Sequence, residues 1–199
     1  MSAQLFVVAT PIGHLDDITY RAIEVLKSVS VIAAEDTRTS AQLLKHFNIH
    51  TPLTACHEHN ESNKIEQLIQ RLINGENMAL ISDAGTPLIS DPGFKLVRAA
   101  QAHGIRVIPV PGACAAIAAL SAVGLPSDRF SFEGFLPSKQ SQRLLHLERL
   151  KDETQTLIFY EAPHKLLNSL ADFLKTFGNR KIAICRELTK LYESSLRLT

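Results

Sequence analysis

Met78-Ala79-Leu80-Ile81 runs straight into Ser82-Asp83-Ala84-Gly85-Thr86-Pro87-Leu88-Ile89-Ser90-Asp91-Pro92-Gly93, and Phe94-Lys95-Leu96-Val97-Arg98-Ala99-Ala100 follows. The first run is continuously apolar, as a strand buried on both faces requires. The last repeats apolar residues at helical spacing. Between them lies a loop far longer than a plain βα connector needs. It carries the carboxylates Asp83 and Asp91, hydroxyls and two glycines. A strand that empties into such a loop and then a helix is where α/β proteins bind ligands.

The same alternation extends in both directions. Leu5–Ala9, a short all-apolar run, and Ser30–Ala34, Thr51–Cys56 and Gly104–Val110 read as further strands. Asp17 is placed to cap a helix with Ile18, Ala22, Ile23, Val25, Leu26 and Val29 on its apolar face. Ser40–Phe47 reads as a helix, and Ile65, Leu68, Ile69 and Leu72 mark another, stopped at Asn74-Gly75. Strands alternating with helices predict a mostly parallel sheet covered on both faces. After Val110 the character shifts to the small apolar run Pro111–Leu120. Phe130–Phe135, Thr156–Tyr160 and Lys181–Cys185 then read as three strands, with helices near Gln140–Leu150 and over Leu166–Phe177. The expected architecture is two α/β domains with mostly parallel sheets, residues 1–110 and 111–199. Three strands make a small second layer, so that domain reads as incomplete.

Composition narrows the function classes. The net charge of the 199 residues is +1, so no global field draws nucleic acid, although a local patch is still allowed. Cys56, Cys114 and Cys185 are odd in number and far apart, which suits a reducing cytoplasm and disfavours a disulfide framework. No signal-peptide pattern opens the chain and no apolar run approaches a membrane span. The first βα turn reads Thr10-Pro11-Ile12-Gly13-His14. One glycine and a proline cannot cradle a diphosphate with backbone N–H groups, so NAD and FAD are disfavoured. The Walker pattern and a hydrolase triad are absent.

Several polar clusters end strands. Glu35-Asp36-Thr37-Arg38 reads either as a helix cap with a surface ion pair or as part of a site. It gains weight because Glu35, Asp36, Asp83 and the Pro11–Gly13 turn should share one edge of the sheet. His57-Glu58-His59 resembles a metal cluster, but no third ligand stands near, so no metal is expected. Glu133 lies among Phe130, Phe132 and Phe135. A carboxylate buried beside aromatics suits a general base; simple alternation with Phe132 would instead turn it to water. Lys139, Arg143, Arg149 and Lys151 form either a basic face for phosphates or a solvated helix face. Phe159-Tyr160-Glu161-Ala162-Pro163-His164 ends the next strand with polar groups.

Together, Val8–Gly13, Glu35–Arg38, Ser82–Pro87, Pro109–Ala115, Phe132–Pro137 and Phe159–His164 resemble the tetrapyrrole methylase superfamily, and within it the branch that methylates ribosomal RNA. Six motifs in order span nearly the whole chain. The resemblance implies S-adenosylmethionine bound in a cleft between two α/β domains. It implies cofactor contacts from Pro11, Asp83, Ala84, Gly85, Thr86, Ile89, Cys114 and Ala115, with Phe159 and Tyr160 from the second domain. It also implies methylation of the ribose 2′-hydroxyl of a cytidine in 16S rRNA of the 30S subunit. Members run beyond Thr199, in keeping with an incomplete second domain. Tetrapyrrole-methylating relatives end the loop after the fourth strand in Gly-Asp-Pro; here it reads Gly85-Thr86-Pro87, so that Asp's contacts do not transfer.

A 2′-hydroxyl is a poor nucleophile, so a base should assist. Glu35, Asp36, Asp83 and Glu133 are the candidates, Glu133 or the Glu35-Asp36 pair foremost, with Arg38, Arg129 and Lys139 positioned for RNA phosphates. The alternatives are a tetrapyrrole or other small-molecule methylase and a non-catalytic ligand-binding fragment. A homodimer is expected because Ala113–Leu120 needs cover.

Overall fold

A computed structural model describes residues 3–56 and 61–198, with backbone only for 61–63. The chain divides into two compact units, with the break after Ala115.

The first unit is a five-stranded sheet. Its strands are β1 (Gln4–Val8), β2 (Val31–Ala34), β3 (Leu53–Ala55), β4 (Met78–Ile81) and β5 (Arg106–Val110). They lie in the order β3-β2-β4-β1-β5, and every pairing is parallel. The helices α1 (Tyr20–Ser28), α2 (Thr37–His46), α3 (Glu61–Ile73) and α4 (Phe94–Ala102) connect them. All residues of β2 and β4 are buried, which is why both read as unbroken apolar runs. Alternation splits the core in two. Leu5, Val31, Ala33, Met78 and Leu80 pack with Leu68, Leu72, Leu96 and Ala100 of α3 and α4. Val8, Ile32, Ala34, Ala79 and Ile81 pack with Ala22, Leu26 and Leu44 of α1 and α2.

Two helix starts differ from expectation: α2 begins at Thr37, capped by Asp36, not at Ser40, and the cap of α1 is another residue. Thr19, not Asp17, caps α1: its hydroxyl accepts the Ala22 N–H at 3.1 Å. Asp17 ends a short 3-10 turn, Leu15–Asp17, which the sequence pattern does not announce.

The second unit contains α5 (from Ala116 of Ala115–Ala122), β6 (Phe130–Phe135), α6 (Gln140–Arg149), β7 (Thr156–Tyr160), α7 (Leu166–Phe177), β8 (Ile182–Arg186) and β9 (Ser194–Leu198). Two corrections arise here. The unit has four strands among its described residues, not three, because Ser194–Leu198 pairs with β8. That pair is antiparallel, while β6 and β7 are parallel. Arg143 is also no part of a basic face. It is buried, with its guanidinium 2.6 Å from Asp172 of α7 and further hydrogen bonds to the carbonyls of Pro137 and Ser138. This pair joins α6 to α7 and fixes the loop that leaves β6.

Candidate functional site

The loops that leave the first sheet at its C-terminal edge are bonded to one another. β1 and β4 are neighbours, and the chain leaves β1 toward β2 but leaves β4 toward β5. Connections that diverge in this way open a crevice at the strand ends. Across it, Thr10 and Gly85 form a short antiparallel bridge. Thr10 N–H donates to the Gly85 carbonyl at 2.9 Å, and Gly85 N–H returns a bond to Thr10 at 3.0 Å. The buried Thr10 hydroxyl donates to the Ser82 carbonyl at 3.2 Å.

Two further loops join this bridge. Asp36 N–H donates to Asp83 Oδ1 at 3.1 Å, which ties the end of β2 to the β4 loop. Thr86 Oγ1 donates to the Ala113 carbonyl at 3.0 Å, which ties the loop after β5 to it as well. Thus Pro11, Glu35-Asp36, Asp83–Thr86 and Ala113–Ala115 do share one edge. Pro11 and Gly85 are buried, Thr86, Cys114 and Ala115 half-buried, and Asp83, Ala84 and Ile89 exposed.

The β4 loop has an unusual backbone. Leu88 and Ser90 have φ of +73° and +67°, and Gly85 has +87°. Left-handed non-glycine residues concentrate where surrounding structure holds them, commonly in binding loops.

Charge in the loop is negative. Burial pushes the Asp91 carboxyl above the usual aspartate range, and the neighbouring Asp83 adds to this against a hydrogen bond from Ser82. Asp91 was not among the sequence candidates. Its shift comes first from burial, which a motif does not display.

Asp36 and Arg38 are engaged with each other. Asp36 caps α2 by accepting the Arg38 N–H at 2.8 Å, and the Arg38 guanidinium meets its carboxylate at 2.7 and 3.1 Å. The Arg38 side-chain hydrogen bond holds the Asp36 carboxyl down at about 2. The Arg38 side chain is otherwise 89% exposed.

In the second unit the aromatic pair at the end of β7 separates. Tyr160 accepts the Ala116 N–H on its hydroxyl at 3.2 Å and meets the rings of Phe132 and Phe135 edge-on. Phe159 packs instead on Phe173 of α7, with centroids 5.0 Å apart. Glu133 does not face open water: its side chain is 15% exposed and lies against His146 of α6. Arg129 and Lys139 are exposed at either end of the β6 segment. Among the described residues no group of His, Cys, Asp or Glu could hold a metal, and His57-Glu58-His59 falls outside them.

The family described as Tetrapyrrole (Corrin/Porphyrin) Methylases matches residues 4–199. The chain belongs to this family. Curated relatives are close. A ribosomal RNA small subunit methyltransferase I from Pseudomonas aeruginosa is 64% identical over 96% of this chain and 68% of its own length. Proteins of the same name from Escherichia coli O157:H7 and Xylella fastidiosa are 56% and 58% identical, over 96% of this chain and 67% and 71% of theirs. Solved structures place the chain among tetrapyrrole methylase folds. A uroporphyrin-III-C-methyltransferase from Thermus thermophilus superposes with a TM-score of 0.67 at 20% identity, covering 98% of this chain and 84% of that one. A diphthine synthase gives 0.72 at 13% identity, covering 98% and 81%. At these identities the likeness speaks for the fold alone.

Proposed function

We propose that this tetrapyrrole methylase family member is an S-adenosylmethionine-dependent methyltransferase acting on the ribose 2′-hydroxyl of a cytidine in 16S rRNA. The observation that carries this reading is the 64% identity, over nearly the whole chain, to a relative named ribosomal RNA small subunit methyltransferase I. The small-molecule alternative has behind it the family's description and fold likeness at 20% identity or below, with no relative at comparable identity.

The loops fit the cofactor. Residues 9–13 and 82–93 contain no lysine or arginine, so a phosphate-bearing ligand would find no cation in them. The exposed Asp83 offers negative charge suited to a ligand with sulfonium and ammonium groups. Gly85 lets the loops after β1 and β4 approach closely: a Cβ there would lie 3.3 Å from Ile12 Cγ2. Pro11, Asp83, Ala84, Gly85, Thr86, Ile89, Cys114 and Ala115 would hold the group. When bound, S-adenosylmethionine supplies an electrophilic methyl on a positively charged sulfur.

Glu133 is the base in this reading. It takes the proton of the 2′-hydroxyl onto its carboxylate as that oxygen becomes the nucleophile. Asp36 suits the role less, because a carboxyl held at about 2 is a weak base. Glu35 is the second candidate. Arg38, Arg129 and Lys139 would position RNA phosphates. The reading places the protein in the cytoplasm, with 30S subunits as its target and a homodimer as its working form. No helix among the described residues is long and apolar enough to cross a membrane.

A thermal-shift panel tests the cofactor class. A ligand at 100 times its dissociation constant stabilises the native state by about 2.7 kcal/mol, which raises Tm by several degrees. S-adenosylmethionine and S-adenosylhomocysteine should do so, and NAD and ATP should not. A shift with NAD or ATP and none with the S-adenosyl compounds contradicts the proposal.

A further inference from the structure

Glu133 sits at a break in β6. Phe132 pairs with Ile158 and Gly134 with Phe159, so Glu133 is the extra residue of a bulge. Gly134 has φ of +64°, the left-handed geometry such a bulge asks of glycine. The extra residue brings both Phe132 and Phe135 onto Tyr160, at 4.9 and 5.6 Å. It leaves Glu133 beside Ser131, whose hydroxyl donates to Glu133 Oε1. On the other side His146 Nε2, from α6, lies 3.5 Å from Oε2. Each carboxylate oxygen therefore has its own partner, one from the strand and one from the helix. The His146 side chain is 32% exposed, so it is no core residue forced on Glu133 by packing.

We propose that His146 is a positioning residue, which with Ser131 fixes the plane and direction of the Glu133 carboxylate for proton abstraction. The inference rests on the reading of Glu133 as base given above. The terminal torsion of a glutamate is broad, and one hydrogen bond leaves the carboxylate free to swing about it. Partners on both oxygens stop that swing. The gain is kinetic: a misplacement near 1 Å costs about 100-fold in rate. A contact that served stability alone would show itself in Tm and leave turnover unchanged.

The test compares His146→Leu, His146→Gln, Ser131→Ala and Glu133→Gln in methyl transfer to 30S subunits, with S-adenosylhomocysteine affinity measured alongside. His146→Leu should lower kcat by about 10- to 100-fold and leave KM for the subunits and the ligand's Kd within about twofold. His146→Gln, whose amide N–H can take the place of Nε2–H, should recover most of that loss. Ser131→Ala should lower kcat in the same way, which keeps the idea testable if His146→Leu folds poorly. Full kcat in His146→Leu, or no recovery in His146→Gln, overturns the positioning role while Glu133→Gln still marks the base. Full kcat in Glu133→Gln overturns the base reading and this inference with it. A cofactor-free readout is the His146 ring in two-bond proton–nitrogen NMR. The ring should show the Nε2–H tautomer, and the Nδ1–H tautomer refutes the contact.

Discussion

Replacing Gly85 by alanine should separate the stability of the β4 loop from its use. Gly85 has φ of +87°, where an L-residue costs roughly 1–3 kcal/mol. Alanine returns about 0.4–1 kcal/mol by restricting the unfolded chain. Its Cβ would sit 3.3 Å from Ile12 Cγ2, so the Thr10–Gly13 turn must give by a few tenths of an ångström. The net loss is about 1–2 kcal/mol, or roughly 2–8 °C in Tm for a chain of this size. Gly104 is the control. It has φ of +69° but nothing within 4 Å of an added Cβ, so Gly104→Ala carries the backbone strain without the displacement. Calorimetry with S-adenosylhomocysteine should find its affinity unchanged in Gly104→Ala and reduced about tenfold or more, 1.4 kcal/mol, in Gly85→Ala. Equal affinity in the two variants would refute the assignment of the Thr10–Gly85 bridge to the ligand site.

Asp172→Asn should cost about 3–5 kcal/mol in chemical denaturation, because it leaves the buried Arg143 charge without its counter-ion; a loss below about 1 kcal/mol would mean water reaches the pair. Asp36 has its carboxyl lowered from 3.8 to about 2, so its contribution is present above pH 3.8 and fades as pH falls toward 2. The stability difference between wild type and Asp36→Asn should be flat near neutrality and shrink over that acid window, and a difference that grows there contradicts the ion pair. Asp91 has the opposite sign: its folded pKa is raised, so the ionised form costs stability once pH climbs above the ordinary aspartate value. Urea titrations of Asp91→Asn should therefore show a gain over wild type at neutral pH that closes on acidification, and a variant less stable than wild type at neutrality would mean the Ser82 hydrogen bond outweighs burial.

β2 and β4 were legible because a strand buried on both faces must be apolar at every position. Met78–Ile81 shows this plainly, since all four residues are buried. The shared edge of the Pro11, Asp36 and Asp83 loops was legible too, because parallel strands end on one side. What escaped depends on contacts distant in sequence or on backbone geometry. Arg143 reads as one more cation on a helix face, yet Asp172, 29 residues away, draws it inside. Alternation along β6 fails at Glu133 because the strand bulges there. Ser194–Leu198 has neither an apolar run nor a buried face, and only its pairing with β8 makes it a strand. The glutamate–histidine contact joins a strand to a helix that no local motif links.

The most direct measurement is methyl transfer from S-adenosylmethionine carrying a labelled methyl group to 30S subunits isolated from cells that lack this activity. A methyl on the ribose 2′-oxygen blocks alkaline cleavage of the following phosphodiester, so alkaline digestion reports where the label sits. The account predicts label at a single cytidine of 16S rRNA, recovered in an alkali-resistant dinucleotide. Label recovered on a base, at many nucleotides, or only on a tetrapyrrole offered in its place would contradict it.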